Sequence, residues 1–443
     1  MGYKQMTIVG QLPKTFLWVA VAALALSACS KREEILAGAR EDLRPDLEAV
    51  AKATTVPQIS LPATQNYATW SHKNGAASHG VGNPALGSAL TRVWAQNIGS
   101  GNGKKNKLSA DPIVVGGRII TLDSTAGLKA FSTAGALAWS TDLTPIWDKA
   151  GTASGGGLAY GAGLLVVTTG FGEVLAIDPA TGGIKWRHRM AAAISAAPVV
   201  IDNIAIAVSL DNKAVALNLA NGRIAWQLQS GGSSTGLTGA GAPAATSGFA
   251  VVPFASGELI GVDTKTGTRV WSAALTGGRK GIARGFVGAI SGDPVIVGKT
   301  VYAANQAGRM ISIDRETGTR NWTANDGAYG PVWVAGGSVF VVTDNFDLKR
   351  VNAATGAELW STSLPGYLKD GKRRRAAHVH YGPVLAGNRL IVASTDGLIR
   401  SFSPSSGALI STVAISGGAA SQPAIVNGTL YILSGNGQIQ AFR

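Results

Sequence analysis

One eleven-residue phrase constrains what this chain can fold into: Ala176-Ile-Asp-Pro-Ala-Thr-Gly-Gly-Ile-Lys-Trp186. Its frame returns from Ala216, Gly261, Ser312 and Arg350, ending at Trp226, Trp271, Trp322 and Trp360. A copy one residue shorter ends at Trp139, and a copy without the Trp runs from Ser401 to Ser411. Four residues before each of these Trp residues stands a Gly (Gly135, Gly182, Gly222, Gly267, Gly318, Gly356), and Gly407 holds that place in the Trp-less copy. The residues ahead of the turn, as in Val174-Leu-Ala-Ile177, have strand patterning. Asp178, Asp263 and Asp314 suit the start of a turn, where a short carboxylate accepts backbone N–H bonds, and the Gly supplies a positive φ. One flat apolar side chain per repeat, always at the same place, predicts packing between neighbouring repeats with the indole N–H on a polar partner.

A second phrase precedes each frame: a Pro, an apolar run, a Gly or Asn turn, and another apolar run, as in Pro198 to Val208. The Pro recurs at Pro112, Pro198, Pro243, Pro294, Pro331, Pro383 and Pro423, and only the unit around Leu158 lacks it. Each unit is therefore four strands, and such a unit repeating every 40 to 50 residues is the mark of a β-propeller blade. Pro423 to Phe442 supplies three strands only. The isolated strand Leu90-Thr-Arg-Val-Trp94 fits the missing place. The expected fold is all-β: an eight-bladed propeller of four-stranded antiparallel blades over residues 90–443, about 44 residues per blade, closed by an N-terminal strand. The structural Trp set is Trp94, Trp139, Trp186, Trp226, Trp271, Trp322 and Trp360.

Residues 1–28 read as a secretory signal, with Lys4 and Lys14 ahead of an apolar run too short to span a bilayer. Leu26-Ser-Ala-Cys29 has the form of a lipobox, and Cys29 is the only cysteine, so no intrachain disulfide can form. Lipidation at Cys29 is expected, with residues 29–66 as lipidated N-terminus and tether and 67–89 as a lead-in packed on the ring. Ser30 rather than Asp follows the Cys, which favours the periplasmic face of the outer membrane. Without residues 1–28 the chain keeps a positive formal charge, which favours anionic surfaces; a periplasmic location argues against nucleic acid.

Five connections between blades are long, Gly-rich or basic: 99–109, 141–157, 228–241, 273–291 and 362–380. Meander topology gathers them on one face, where binding function concentrates. Lys104, Lys105, Lys107 and the run Lys372-Arg-Arg-Arg375 lie in two of them. Catalytic signals are sparse. Gly232-Ser-Ser-Thr-Gly236 has the letters of a nucleophile elbow but no helix follows. His378 and His380 lack a third metal ligand, so no catalytic residue, metal or cofactor is expected.

The Ala-x-Asp-x-x-Thr-Gly-x-x-x-Trp frame resembles the tryptophan-docking repeat of quinoprotein (PQQ) dehydrogenase-like propellers. Joined to a lipobox, a tether and eight such blades, the chain looks like the BamB lipoproteins of the outer-membrane β-barrel assembly (BAM) complex. That resemblance implies a non-enzymatic scaffold docking on a POTRA domain of BamA and helping unfolded outer-membrane proteins. In the family the BamA contact comes from two loops. The first falls here on Thr235, Leu237, Thr238 and Gly239, of which Leu237 and Gly239 match the pattern. The second, an acidic pair in the family, falls near Ala289 and Ser291; both acids are missing, and Arg279, Lys280 and Arg284 share that loop. The alternatives are a PQQ-dependent dehydrogenase, which a chain with one lipidated cysteine suits poorly, and a lipoprotein binding glycan or peptidoglycan. Aromatic pairs such as Trp147 with Tyr160 or Tyr367 with Tyr381 would mark the last.

Overall fold

The computed structural model describes residues 56–231, 241–279, 289–369 and 376–443, all within one compact unit, Val50–Arg443. Blade 1 is the meander Ile113–Val115, Arg118–Leu122, Gly127–Ser132 and Leu137–Asp142. Six more four-stranded sheets follow: blade 2 from Gly156–Gly161 to Ile184–Arg189, blade 3 from Val199–Ile201 to Ile224–Gln229 and blade 4 from Ala244–Thr246 to Arg269–Ala274. Blade 5 runs from Val295–Val297 to Arg320–Ala324, blade 6 from Trp333–Ala335 to Glu358–Ser363 and blade 7 from His380–Ala386 to Leu409–Ala414. Blade 8 takes three strands from residues 424–442 and its outermost strand, Arg92–Asn97, from the N-terminal side, pairing antiparallel with Gln438–Phe442. The expected closure is the observed one.

First strands of neighbouring blades contact one another and line the axis. Six of them are three residues long and follow the repeated Pro, which has no N–H to continue the ladder; blade 2, which lacks the Pro, extends its first strand to six residues, and blade 7 extends to seven by passing Pro383 with a shift of register. Third strands are largely buried, as in Glu173–Ile177. Fourth strands alternate exposed and half-buried residues at the rim, as in Ile184–Arg189.

The repeat geometry follows the chemistry of the frame. Asp178 Oδ1 accepts the Ala180 N–H at 2.8 Å, and Asp263 Oδ1 accepts the N–H groups of Lys265 and Thr266. These bonds stabilise the ionised carboxylates and hold their pKa values below the ordinary range. Each Trp Nε1 donates across the blade boundary to a turn carbonyl of the next blade: Trp94 to Thr133, Trp139 to Pro179, Trp186 to Leu219, Trp226 to Thr264, Trp271 to Arg315, Trp322 to Ala353 and Trp360 to Pro404. The indole lies against the Gly of that turn. Gly182 has φ +76°, and a Cβ there would sit 2.6 Å from Trp139 Cε3, so both the backbone and the contact require Gly.

The copy without a Trp has a structural reason. Blade 7 abuts blade 8, whose third and fourth strands come from opposite ends of the ring and share no hairpin. There is no turn for an indole to meet, and Ser411 occupies its place. In that gap Arg443 and Thr91 exchange backbone bonds of 2.9 and 2.8 Å.

Candidate functional site

The lead-in does more than pack on the ring: it walks once around the axis and bonds to every blade. Trp70 N–H donates to Val114 O in blade 1 at 2.7 Å, and the return bond is 2.9 Å. Amide groups of Tyr160 in blade 2, Ala245 in blade 4 and Ile296 in blade 5 donate to the carbonyls of Ser71, Ala77 and Ser78 at 2.8, 2.7 and 2.9 Å. The Val200 N–H of blade 3 donates to His72 Nε2 at 3.0 Å, and Trp333 Nε1 of blade 6 donates to Gly82 O at 3.1 Å. Gly387 N–H in blade 7 reaches Pro84 O at 2.8 Å, and Asn427 N–H beside blade 8 reaches Tyr67 O at 3.0 Å. The first strand of a blade is a sheet edge with unpaired N–H groups facing the axis, and this segment satisfies them. Trp70 is buried beside the first strand of blade 1.

The plug carries a half-buried charge to the axis. Lys73 Nζ forms an ion pair with Asp293 Oδ2 at 2.9 Å, and Asp293 Oδ1 accepts the Ala242 N–H at 2.6 Å. Burial opposes the Lys73 ammonium, yet Asp293 and Asp111 outweigh it and hold its pKa above the ordinary value. Burial raises the Asp111 carboxyl to about 6 despite Lys73 and the 2.7 Å bond from the Gln422 N–H. Burial, aided by His79, depresses His72 to about 3, so it stays neutral and can accept the Val200 N–H. Sequence reading passed over this cluster, although Asp111-Pro112 and Asp293-Pro294 carry acids immediately before the repeated Pro.

On the opposite end of the ring two of the long connections meet. Loops 99–109 and 142–156 are stitched by Asn106 Nδ2 to Gly151 O at 3.2 Å and by Lys107 N–H to Ser154 Oγ at 3.0 Å. Arg279 lies in the connection from blade 4 to blade 5, where its Nε and Nη2 donate to Asp344 Oδ2 and Oδ1 at 2.9 and 3.1 Å. Asp326 adds a 3.4 Å contact and is itself bonded to Lys349 at 3.0 Å. Arg279 is thus an internal tie between blades 5 and 6. Ala289 and Ser291 are buried, with Ser291 Oγ donating to Ala328 O at 2.8 Å, and Asp293 serves the axis. Cys29, Thr235, Leu237, Thr238, Gly239, Lys280, Arg284, the elbow-like Gly232–Gly236 and the run Lys372–Arg375 lie outside the described residues.

His380 engages Ser394 Oγ through Nδ1 at 2.6 Å and Pro365 O through Nε2 at 2.8 Å, and no group of three candidate metal ligands occurs among the described residues. Neither aromatic pair forms a ring contact: Trp147 meets Arg189, Tyr160 packs on the core of blades 1 and 2, Tyr367 stacks edge-on against Phe346 at 5.3 Å, and Tyr381 is packed on the core. Phe346, Tyr367, Val379 and His380 border an apolar cavity of ≈ 280 Å³ between blades 6 and 7.

Eight blades, interlocked by indole-to-turn bonds and pinned by an axial plug, define the PQQ-like class of β-propeller. The solved BamB of Moraxella catarrhalis has this fold, with a TM-score of 0.65 at 19% identity over 80% of this chain and 98% of that one. So does the quinohemoprotein alcohol dehydrogenase of Comamonas testosteroni, at 0.67 and 15% over 84% and 80%. Among sequences, the outer membrane protein assembly factor BamB of Xanthomonas campestris is 28% identical over 364 residues, 80% of this chain and 86% of its own. That of Shewanella oneidensis is 23% identical over 355 residues, 78% and 87% of the two chains. The family model for outer membrane protein assembly factor BamB matches residues 124–362 and 344–443, and the chain belongs to that family.

Proposed function

We propose that this protein is a non-enzymatic scaffold of the outer-membrane β-barrel assembly complex, lipid-anchored through Cys29 on the periplasmic face and docked on BamA through its loop face. Family membership is the observation that carries this reading. The signal at 1–28, the tether at 29–66 and assistance to unfolded barrel proteins belong to the same proposal. Within the connections 228–241 and 273–291, the inward placement of Arg279, Ala289 and Ser291 favours Leu237, Lys280 and Arg284 as contacts.

A dehydrogenase reading finds less support in the site. The two carboxylates at the axis, Asp111 and Asp293, already face the Lys73 ammonium, so a side chain of this chain offsets their charge. Neither pair expected for a glycan reading, Trp147 with Tyr160 or Tyr367 with Tyr381, comes together among the described residues.

The test is affinity purification of the tagged full-length protein from its native envelope in mild detergent, with Lys280→Glu/Arg284→Glu and Cys29→Ser variants alongside. BamA should co-purify with the wild type and be lost from the folded charge-reversed variant. The Cys29→Ser variant should leave the membrane fraction. Absence of BamA, with a quinone cofactor or glycan present instead, overturns the reading.

A further inference from the structure

At the turn into its third strand every blade places one residue at positive φ, and blade 6 fills that place with a side chain the backbone disfavours. Gly172, Gly257, Gly308, Gly397 and Gly437 hold it in five blades, Asn212 in blade 3 and Ala126 in blade 1. In blade 6 it is Phe346, at φ +66°, a strained conformation for a bulky residue. The turn is fixed around it: the Phe346 N–H donates to Thr343 O at 3.1 Å, and the Leu364 N–H donates to Phe346 O at 2.7 Å. Gly would serve such a turn without strain, so it is the phenyl ring that this position retains.

That ring forms one wall of the ≈ 280 Å³ cavity between blades 6 and 7. Tyr367 meets it edge-on at 5.3 Å and 74°, and His380 at 6.3 Å and 72°. His380 is locked by its bonds to Ser394 and Pro365, and Ser394 Oγ also accepts Arg400 Nη1 at 3.2 Å. Val342 and Val379 add apolar surface. Among the described residues no Asp, Glu, Lys or Arg lines the cavity. Burial holds the His380 pKa below its ordinary value, so that ring is neutral at pH 7. One polar atom is left over. His378 also borders the cavity, and its Nδ1 is closed to solvent with no hydrogen-bond partner among the described residues. A buried polar atom in that state is costly until a partner arrives. Tyr329 and Val379 stand 52% and 46% exposed at the border, which leaves a way in.

These features select the occupant. Rigid rings set at steep angles receive a flat aromatic body through edge and face contacts. A lining without charged side chains favours a neutral one, since an ion would lose its hydration without compensation. A dry cavity of about 150 Å³ holds one benzene, and nearly twice that volume suits two fused rings. The leftover Nδ1 calls for one polar hydrogen on the ligand. We infer that the cavity walled by Phe346, Tyr367 and His380 binds a neutral, planar, two-ring aromatic small molecule whose single hydroxyl or N–H group bonds to His378 Nδ1. The site is separate from the connections 228–241 and 273–291, and it stands independently of the scaffold reading.

The experiment titrates residues 29–443 carrying Cys29→Ser, which keep the whole compact unit Val50–Arg443, with 2-naphthol, naphthalene and 2-naphthoate. Binding is followed by calorimetry and naphthol fluorescence for this protein and for its Phe346→Gly and His378→Phe variants, with melting curves as the folding control. The unsubstituted site should bind 2-naphthol one to one and 2-naphthoate more weakly. Phe346→Gly, which gives blade 6 the residue five other blades carry, should stay folded and weaken every ligand by about tenfold. His378→Phe, at a partly exposed position, reads the site independently. It should weaken 2-naphthol by about three- to tenfold and leave naphthalene unchanged. No saturable binding of 2-naphthol, or equal binding with and without the Phe346 ring, overturns the site. Equal effects of His378→Phe on naphthol and naphthalene, or tighter binding of 2-naphthoate, overturn the ligand class. Binding of a Trp-containing peptide in place of 2-naphthol, lost in Phe346→Gly, overturns the small-molecule assignment in favour of a partner's side chain.

Discussion

Lys73 of the axial plug and Asp293 at the head of blade 5 face each other at 2.9 Å, with the Asp293 side chain fully buried. The same carboxylate holds the Ala242 N–H of blade 4, so one residue ties the plug to two blades. Asp293→Ala should destabilise the ring by about 1–3 kcal/mol, because it leaves the partly buried Lys73 ammonium and the Ala242 N–H without the carboxylate they share. Lys73→Met/Asp293→Asn should recover part of that loss. Denaturant unfolding of the two single variants and the double variant measures the coupling.

Indole docking predicts an order of severity at one boundary. Gly222→Ala puts a Cβ 2.7 Å from Trp186 Cδ2 at φ +68°, a backbone cost of about 1–3 kcal/mol with a clash added. Trp186→Phe removes only the 2.7 Å bond to Leu219 O and part of the ring, about 1–2 kcal/mol. Equilibrium unfolding should rank the Gly change as the worse of the two.

Arg279 should behave as a structural residue. Arg279→Ala leaves Asp344, whose side chain is fully buried, without its guanidinium and should cost about 3–5 kcal/mol. A thermal melt reads this directly, and any partner-binding loss in that variant must be set against the melt.

Two buried groups pull stability in opposite directions with pH. The His72 pKa is depressed to about 3, so native His72 is neutral and its contribution is present above about 6.5. That contribution falls by about 1.4 kcal/mol per unit as pH drops below this value, until about 3. Asp111 is raised to about 6, so its contribution is full below about 3.9 and is lost as pH rises through 6. His72→Gln should flatten the acid side of the profile. Asp111→Asn should raise stability at neutral pH relative to the wild type and remove the decline between about pH 4 and 6. Denaturant midpoints from pH 3.5 to 8 test both.

The repeat was legible because its causes are local. Asp178 and Gly182 shape one turn and Trp186 reaches the matching turn of the next blade, so every copy carries the same residues, and periodicity exposed the Trp-docking set, the blade number and the closing strand. The missing Trp at Ser411 was visible but its reason was not, since it depends on which two strands meet at the ring's seam. The residue pairs Trp147 with Tyr160 and Tyr367 with Tyr381 were close in sequence or type, yet each ring packs on a different neighbour.

What the sequence determined by itself was the blade: strand alternation, turn carboxylates, positive-φ glycines and a docking indole are encoded within about 44 residues and repeated. What only the tertiary structure decided was the axis and the loop face. Residues 67–87 carry no periodicity, because those that bond to the ring, from Tyr67 to Pro84, each meet a different blade. Arg279 and Ser291 were candidates for an outer surface until folding turned them inward, onto Asp344 and Ala328. Side chains with long-range partners take their roles from the assembled ring, where the partners first come together.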